Sequence, residues 1–231
     1  MKKYIFSLCL LFTANLAFSQ KEKPCGIKDG LQEGTCKQFY DNGKINSSEN
    51  WKKGKREGLA SYYFENGNLK ATGNFMKDKK TGVWKFYYES GTIKAEEVFV
   101  YKDFMELKEG FFKYYYPNGK LQVTRYYKDD VRDGIETTYY ESGVLKSAGN
   151  FAKNLQDGEW KFYYENGKPQ DISEWKNDLP DGKQASYHKN GQVKCAVLSV
   201  KGKKEGEMIC YDENGKVTRK EFYKNDVKVK P

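Results

Sequence analysis

One histidine, a set of cysteines and a recurring glutamate are the residues of this chain that could do acid–base or nucleophilic chemistry. His188 is the single imidazole, and an imidazole is the usual general base near neutral pH. Ser186 stands two residues before it, on the same face of an extended chain, yet no acid is placed to orient the ring. Glu65, Glu89, Glu141, Glu165 and Glu213 each stand two residues before a glycine, beside a turn. Recurrence marks a solvated turn flank, whereas a catalytic carboxylate pair would be a local exception. Neither glycine-rich phosphate cradle, G-x-x-x-x-G-K-[S/T] or G-x-G-x-x-G, occurs. Cys25, Cys36, Cys195 and Cys210 form two pairs at opposite ends of the chain without a C-x-x-C spacing, which does not indicate a metal site. The chain reads as a non-enzyme with no metal and no cofactor, and His188 as a substituted sheet aromatic.

The elements that must position these residues are announced by glycine. Gly34, Gly58, Gly82, Gly110, Gly134, Gly158, Gly182 and Gly206 follow one another at steps of 24 residues, with one step of 28. A second glycine lies nine residues after each, from Gly43 and Gly67 to Gly215. A fixed period of this size means a repeat array. With the first glycine as position 0, position 5 is always aromatic: Phe39, then Tyr63, Tyr87, Tyr115, Tyr139, Tyr163, Tyr187 and Tyr211. Position 11 is mostly aliphatic and position 17 mostly aromatic, so each repeat reads as two strands bounded by turn residues. The Asn-Gly or Ser-Gly at positions 8 and 9 predicts a two-residue type I′ turn. Position 6 should then face 11, 4 should face 13 and 2 should face 15. The strands return through polar loops such as Lys53-Gly54-Lys55-Arg56-Glu57. The expected fold is all-β, an elongated antiparallel β-meander of about eight 24-residue hairpin repeats over residues 34–231, preceded by a half repeat at 20–33.

The cysteines test that register. Offsets from the nearest repeat glycine sum to minus seven for Cys25 with Cys36 and again for Cys195 with Cys210, as they must for directly opposed residues between repeats. Two disulfides, Cys25–Cys36 and Cys195–Cys210, are expected at the two ends, where a one-dimensional array frays; four free thiols are the competing reading. The same sum sets Gly73 opposite Trp84 and Gly149 opposite Trp160, an aromatic over a bare cross-strand glycine.

The opening Met1-Lys2-Lys3, the apolar run from Tyr4 to Phe12 and Ala17-Phe18-Ser19 read as a signal peptide over residues 1–19, against the alternative of an uncut anchor. The expected location is secreted, periplasmic or cell-envelope, which also permits disulfides. The chain carries a net charge of +9 with 16% aromatic residues, but export disfavours nucleic acid as a partner. Lysines gather in the inter-repeat loops and acids at the opposite turns, so two oppositely charged rims are expected. These rims could lie on anionic lipid.

Two features carry the binding expectation. Tyr63, Tyr87, Tyr115, Tyr139, Tyr163 and Tyr187 should form a ladder with a spacing of ~10 Å, which stabilises the sheet by cross-strand packing and offers a groove for sugar rings or an extended peptide. The long step carries four extra residues, an even number that lengthens both strands of one hairpin by two and preserves facing. One reading is a protruding tip bearing Tyr101, Phe104, Met105 and Leu107 as a partner site; the competing one is a longer hairpin packed on its neighbours.

The pattern G-x-W-x-x-Y-Y-x-N-G-x-L resembles the variant MORN repeat, especially its YwqK-type group labelled as antitoxins. The resemblance runs from Gly34 to the C-terminus. It implies an elongated hairpin array, a non-enzymatic scaffold and a protein or lipid-headgroup partner; the antitoxin label implies neutralising a toxin. The functional expectation is an exported scaffold mediating protein–protein interaction at the cell envelope. The alternatives are an envelope glycan or anionic-lipid binder, or an antitoxin.

Overall fold

The structure, a computed structural model, describes residues 25–230. The expected leader over 1–19 and the first residues of the half repeat, 20–24, lie outside the described residues. Among those described, nineteen strands pair antiparallel in one sheet. Successive strands are neighbours, as where Lys55–Tyr63 pairs with Leu69–Met76, which pairs with Lys79–Tyr87. The expected meander is the architecture the chain adopts.

Within a repeat, position 4 faces 13 and position 2 faces 15, as Tyr62 faces Ala71 and Ala60 faces Gly73. Position 11, however, faces position 5 and not 6: Tyr63 opposes Leu69, Tyr87 opposes Ile93 and Tyr187 opposes Val193. The difference originates in the turn. The Phe64 N–H donates to the Asn68 carbonyl and the Gly67 N–H to the Phe64 carbonyl, both at 2.8 Å. The loop is therefore Glu65-Asn66-Gly67, three residues, and among them only Gly67 has positive φ, at 96°. This is a type I turn closed by a left-handed glycine, and the bulge it creates shifts the register by one. The Asn66 Oδ1 accepts the Asn68 N–H at 2.8 Å, an Asx turn that explains why asparagine precedes the glycine. Asn42, Asn118, Asn166 and Asn190 do the same.

The type I′ turns sit at the opposite rim, between repeats. Lys53–Gly54, Lys77–Asp78 and Lys153–Asn154 all have φ of 49–72° at both central residues, the geometry whose twist matches the flanking strands. A tight turn leaves backbone N–H groups that need acceptors, and acids supply them. Asp78 Oδ1 accepts the Arg56 N–H at 2.9 Å, and Glu57 Oε2 accepts the Lys77 N–H at 3.1 Å. These acids stand among the lysines. At the other rim Lys44, Lys120 and Lys168 send their ammonium groups to carbonyls of the next repeat at 2.6–3.0 Å. Both rims are consequently mixed in charge, and the expected segregation does not occur. Beyond each I′ turn the pairing shifts, from Trp51↔Arg56 to Glu49↔Ala60, leaving Gly58 at a bulge with φ of 93°. The two recurrent glycines thus belong to two different bulges.

The core lies on the face of positions 2, 4, 15 and 17. Trp84 and Phe112 are the largest fully buried side chains, each stabilising the sheet by roughly 1.5–3 kcal/mol. Phe75 meets Trp84 edge-on at 4.9 Å and Phe112 meets Tyr127 at 4.8 Å. A Cβ built on Gly73 or Gly149 falls inside the ring system of Trp84 or Trp160 respectively, so both tryptophans lie over bare glycine as expected. Arg56 and Arg132 cap the core rings of Phe75 and Phe151 at 4.0 Å each. The buried Glu136 is held by Arg125 Nε at 2.7 Å. Cys25 is bonded to Cys36 and Cys195 to Cys210, with Cα atoms 4.4 and 4.1 Å apart.

Candidate functional site

The face opposite the core carries a file of apolar residues that sequence reasoning passed over. Adjacent residues in a strand point to opposite faces, so position 1 turns away from the buried position 2. In four successive repeats it is Leu59, Val83, Phe111 and Ile135, and each is 49–58% exposed. Their cross-strand partners are Asn74, Val98, Tyr126 and Asn150, and Phe111 meets Tyr126 edge-on at 5.0 Å. Repeats along the array are ~10 Å apart, so the file runs for ~30 Å. A polar strip borders it: Glu96 sits between Lys85 and Lys113 at 3.7 and 3.9 Å and accepts the Tyr115 hydroxyl at 3.1 Å. The signal was present in the sequence as one apolar position recurring at the repeat period.

The tyrosines of the expected ladder, Tyr63, Tyr87, Tyr115, Tyr139, Tyr163 and Tyr187, are all half-buried. Among the described residues none of these rings is in a ring–ring contact; each lies opposite position 11, which is Pro169 for Tyr163 and aliphatic for the others. Position 6 has a different task. The hydroxyls of Tyr40, Tyr116, Tyr140 and Tyr164 donate to the position-5 carbonyl of the next repeat at 2.6–2.8 Å. His188 Nε2 takes that place, 2.9 Å from the Tyr211 carbonyl. Its ring nitrogen is engaged in the repeat's own lattice, and among the described residues no hydrogen bond joins it to Ser186. The position-7 glutamates offer their backbone carbonyls to asparagines, as Glu89 does to Asn66 and Glu141 to Asn118, at 3.2 Å each. Their side chains stay in solvent.

The long step lengthens one hairpin. Phe99 faces Lys108 and Tyr101 faces Glu106, two more residues per strand than in other repeats, with the turn at Asp103–Phe104. Phe104 is 79% and Met105 54% exposed, while Tyr101 and Leu107 are half-buried.

The buried polar groups serve the fold. Burial, and then hydrogen bonding to Glu49, push the Tyr62 phenol up to about 12. Burial likewise raises Tyr114, with the Glu97 charge adding to it. Neither phenol is poised to ionise near neutral pH. Among the described residues no three His, Cys, Asp or Glu side chains are grouped to hold a metal ion.

The family model described as MORN repeat variant matches this chain at residues 32–53, 56–77, 80–101, 108–129, 132–153, 156–177 and 204–225, about two thirds of its length. The stretch between the last two matches still forms the strands Leu179–Tyr187 and Val193–Val200 in the common register. Among solved structures, a chain of the crystal structure titled TcdB2-TccC3-Cdc42 is similar at 10% identity and a TM-score of 0.19, covering 77% of this chain and 14% of that one. The curated proteins contain no match to this sequence.

Proposed function

The chain belongs to the MORN repeat variant family, and from that premise we propose that it is a non-catalytic scaffold whose exposed sheet face holds a protein partner. The observation that carries the reading is the file of Leu59, Val83, Phe111 and Ile135, half-exposed on the side away from the aromatic core. A single-layer sheet gains nothing in its own core from apolar residues there, and exposed apolar residues recurring along one face with a polar border mark a protein contact. The engaged His188 supports a role by binding and not by catalysis. We place the scaffold outside the cytoplasm, at the cell envelope; the two disulfides support this, because they persist in oxidising compartments.

The test is capture from envelope extracts on immobilised protein. A triple variant with Leu59, Phe111 and Ile135 changed to Ser should lose the specific partner while keeping its fold by circular dichroism. An unchanged set of captured proteins would remove the sheet-face reading. A second reading, envelope-glycan binding, is favoured by the separate, half-exposed rings of the ladder. It requires that Tyr115→Ala with Tyr139→Ala lowers retention on insoluble cell-wall glycan. The antitoxin role that the YwqK-type resemblance implies is a special case of the scaffold, in which the partner is a toxin. It requires that a neighbouring gene be toxic when expressed alone and harmless when expressed with this chain.

A further inference from the structure

The lengthened hairpin forms one wall of an open cleft at the rim of the array. Two extra residues per strand carry the Asp103–Phe104 turn ~7 Å past its neighbours, so that it stands beside the turns at Lys53–Gly54 and Lys77–Asp78. Between them lies an open cavity of about 570 Å³. One turn contributes Lys52, Lys53 and Lys55 to its wall, and the next contributes Lys77 and Lys79. The opposite wall is aromatic: Tyr101 and Phe104 meet edge-on at 6.5 Å, and the Lys77 ammonium lies 5.9 Å from the Phe104 ring centre. The single carboxylate in the lining is Glu57, which already accepts the Lys77 backbone N–H. Among the described residues none of the five ammonium groups is in an ion pair.

The charge is one-sided. On the far flank of the same hairpin Lys102 is paired with Asp129 at 3.6 Å, and Asp130 accepts the Lys108 N–H. Asp103 stands at the apex. A flat anionic membrane approaching the tip would meet these carboxylates as well as the lysines. A second copy of the chain, at a net charge of +9, is repelled on average. A discrete segment entering from the lysine side meets only the cationic field, which a concave site concentrates.

We propose that this cleft docks an acidic segment of the partner protein, placing a large apolar or aromatic side chain against Phe104 and Tyr101 and carboxylates against the two lysine-bearing turns. The proposal rests on the scaffold reading and names the chemistry of its partner at a second surface, distinct from the sheet face.

The experiment uses the full chain and a fluorescein-labelled hexapeptide, Glu-Asp-Phe-Glu-Glu-Leu, read by fluorescence anisotropy at low and moderate salt. Lys53→Glu with Lys77→Glu should weaken binding about tenfold or more, and Phe104→Ser severalfold. Lys201→Glu with Lys203→Glu, at a turn far along the array, should change it by less than about twofold. All these side chains are at the surface, and near-ultraviolet circular dichroism verifies the fold of each variant. The proposal is overturned if the peptide is not bound, if the distant charge reversal costs as much as the cleft reversal, or if phosphatidylglycerol vesicles bind the chain while the peptide does not. If the peptide result fails while the sheet-face variant still abolishes capture, the cleft is lost and the scaffold stands.

Discussion

Trp84 and Trp160 are each bought by a glycine across the sheet, and this is the most sensitive residue-scale feature of the molecule. Gly73 and Gly149 have ordinary extended backbone, so their role is space, not conformation. A methyl at either site would occupy the plane of the indole. The ring would have to leave the core or the strands would have to part, and overpacking of this kind costs about 2–3 kcal/mol. Gly149→Ala should therefore lower the unfolding free energy measured by urea titration by that amount and shift tryptophan emission to the red. An unchanged midpoint would show that the ring does not lie on the glycine. Alanine at Gly43, where positive φ is needed but nothing lies within 4 Å, should act through backbone strain alone and leave the emission unmoved.

At the scale of the element, two turns alternate along the array, and each has its own demand on sequence. The three-residue turn needs one left-handed residue after an Asx turn; the two-residue turn needs two consecutive left-handed residues. Residues at φ near 50° such as Lys53, Lys77 and Lys201 are the unfavourable members, since a Cβ there is strained. Lys201→Asn gives Asn-Gly in a true type I′ turn and should stabilise its hairpin by about 0.5 kcal/mol, while Gly67→Ala, at φ 96°, should cost about 1 kcal/mol. Thermal melts of the two variants should move in opposite directions. Movement in the same direction would mean that the turn types are interchanged.

For the whole molecule, stability is a chain of nearest-neighbour terms. The aromatic core is densest around Trp84, Phe99 and Phe112, and every residue of the strands Gly26–Lys28 and Val227–Val229 at the two ends is exposed. The disulfides close loops of sequence separation 11 and 15 close to these ends, each expected to stabilise by about 2–3 kcal/mol by restricting the unfolded chain. Hydrogen exchange with and without reductant should show faster exchange in the hairpins that contain the cysteines and little change from Ala60 to Phe112. Uniform acceleration would show instead a single cooperative unit.

Most of the architecture was legible in the sequence because its contacts are local. A strand, a turn and the next strand lie within 24 residues, so the glycine period, the alternating aromatics and the cysteine offsets each report the same register. Asn-Gly did not decide its own turn: it satisfies a two-residue loop and equally the last two places of a three-residue one. What separates them is whether Glu65 joins the ladder, and the hydrogen bonds between Phe64 and Asn68 decide that. The apolar file was visible as a recurring position, but its exposure depends on nothing folding over that face. The cleft joins Lys53 to Phe104, fifty-one residues apart, and exists because one hairpin outgrows its neighbours across the sheet. Periodicity determines how each repeat pairs with the next; which surfaces remain uncovered, and which distant turns meet, is a property of the assembled array.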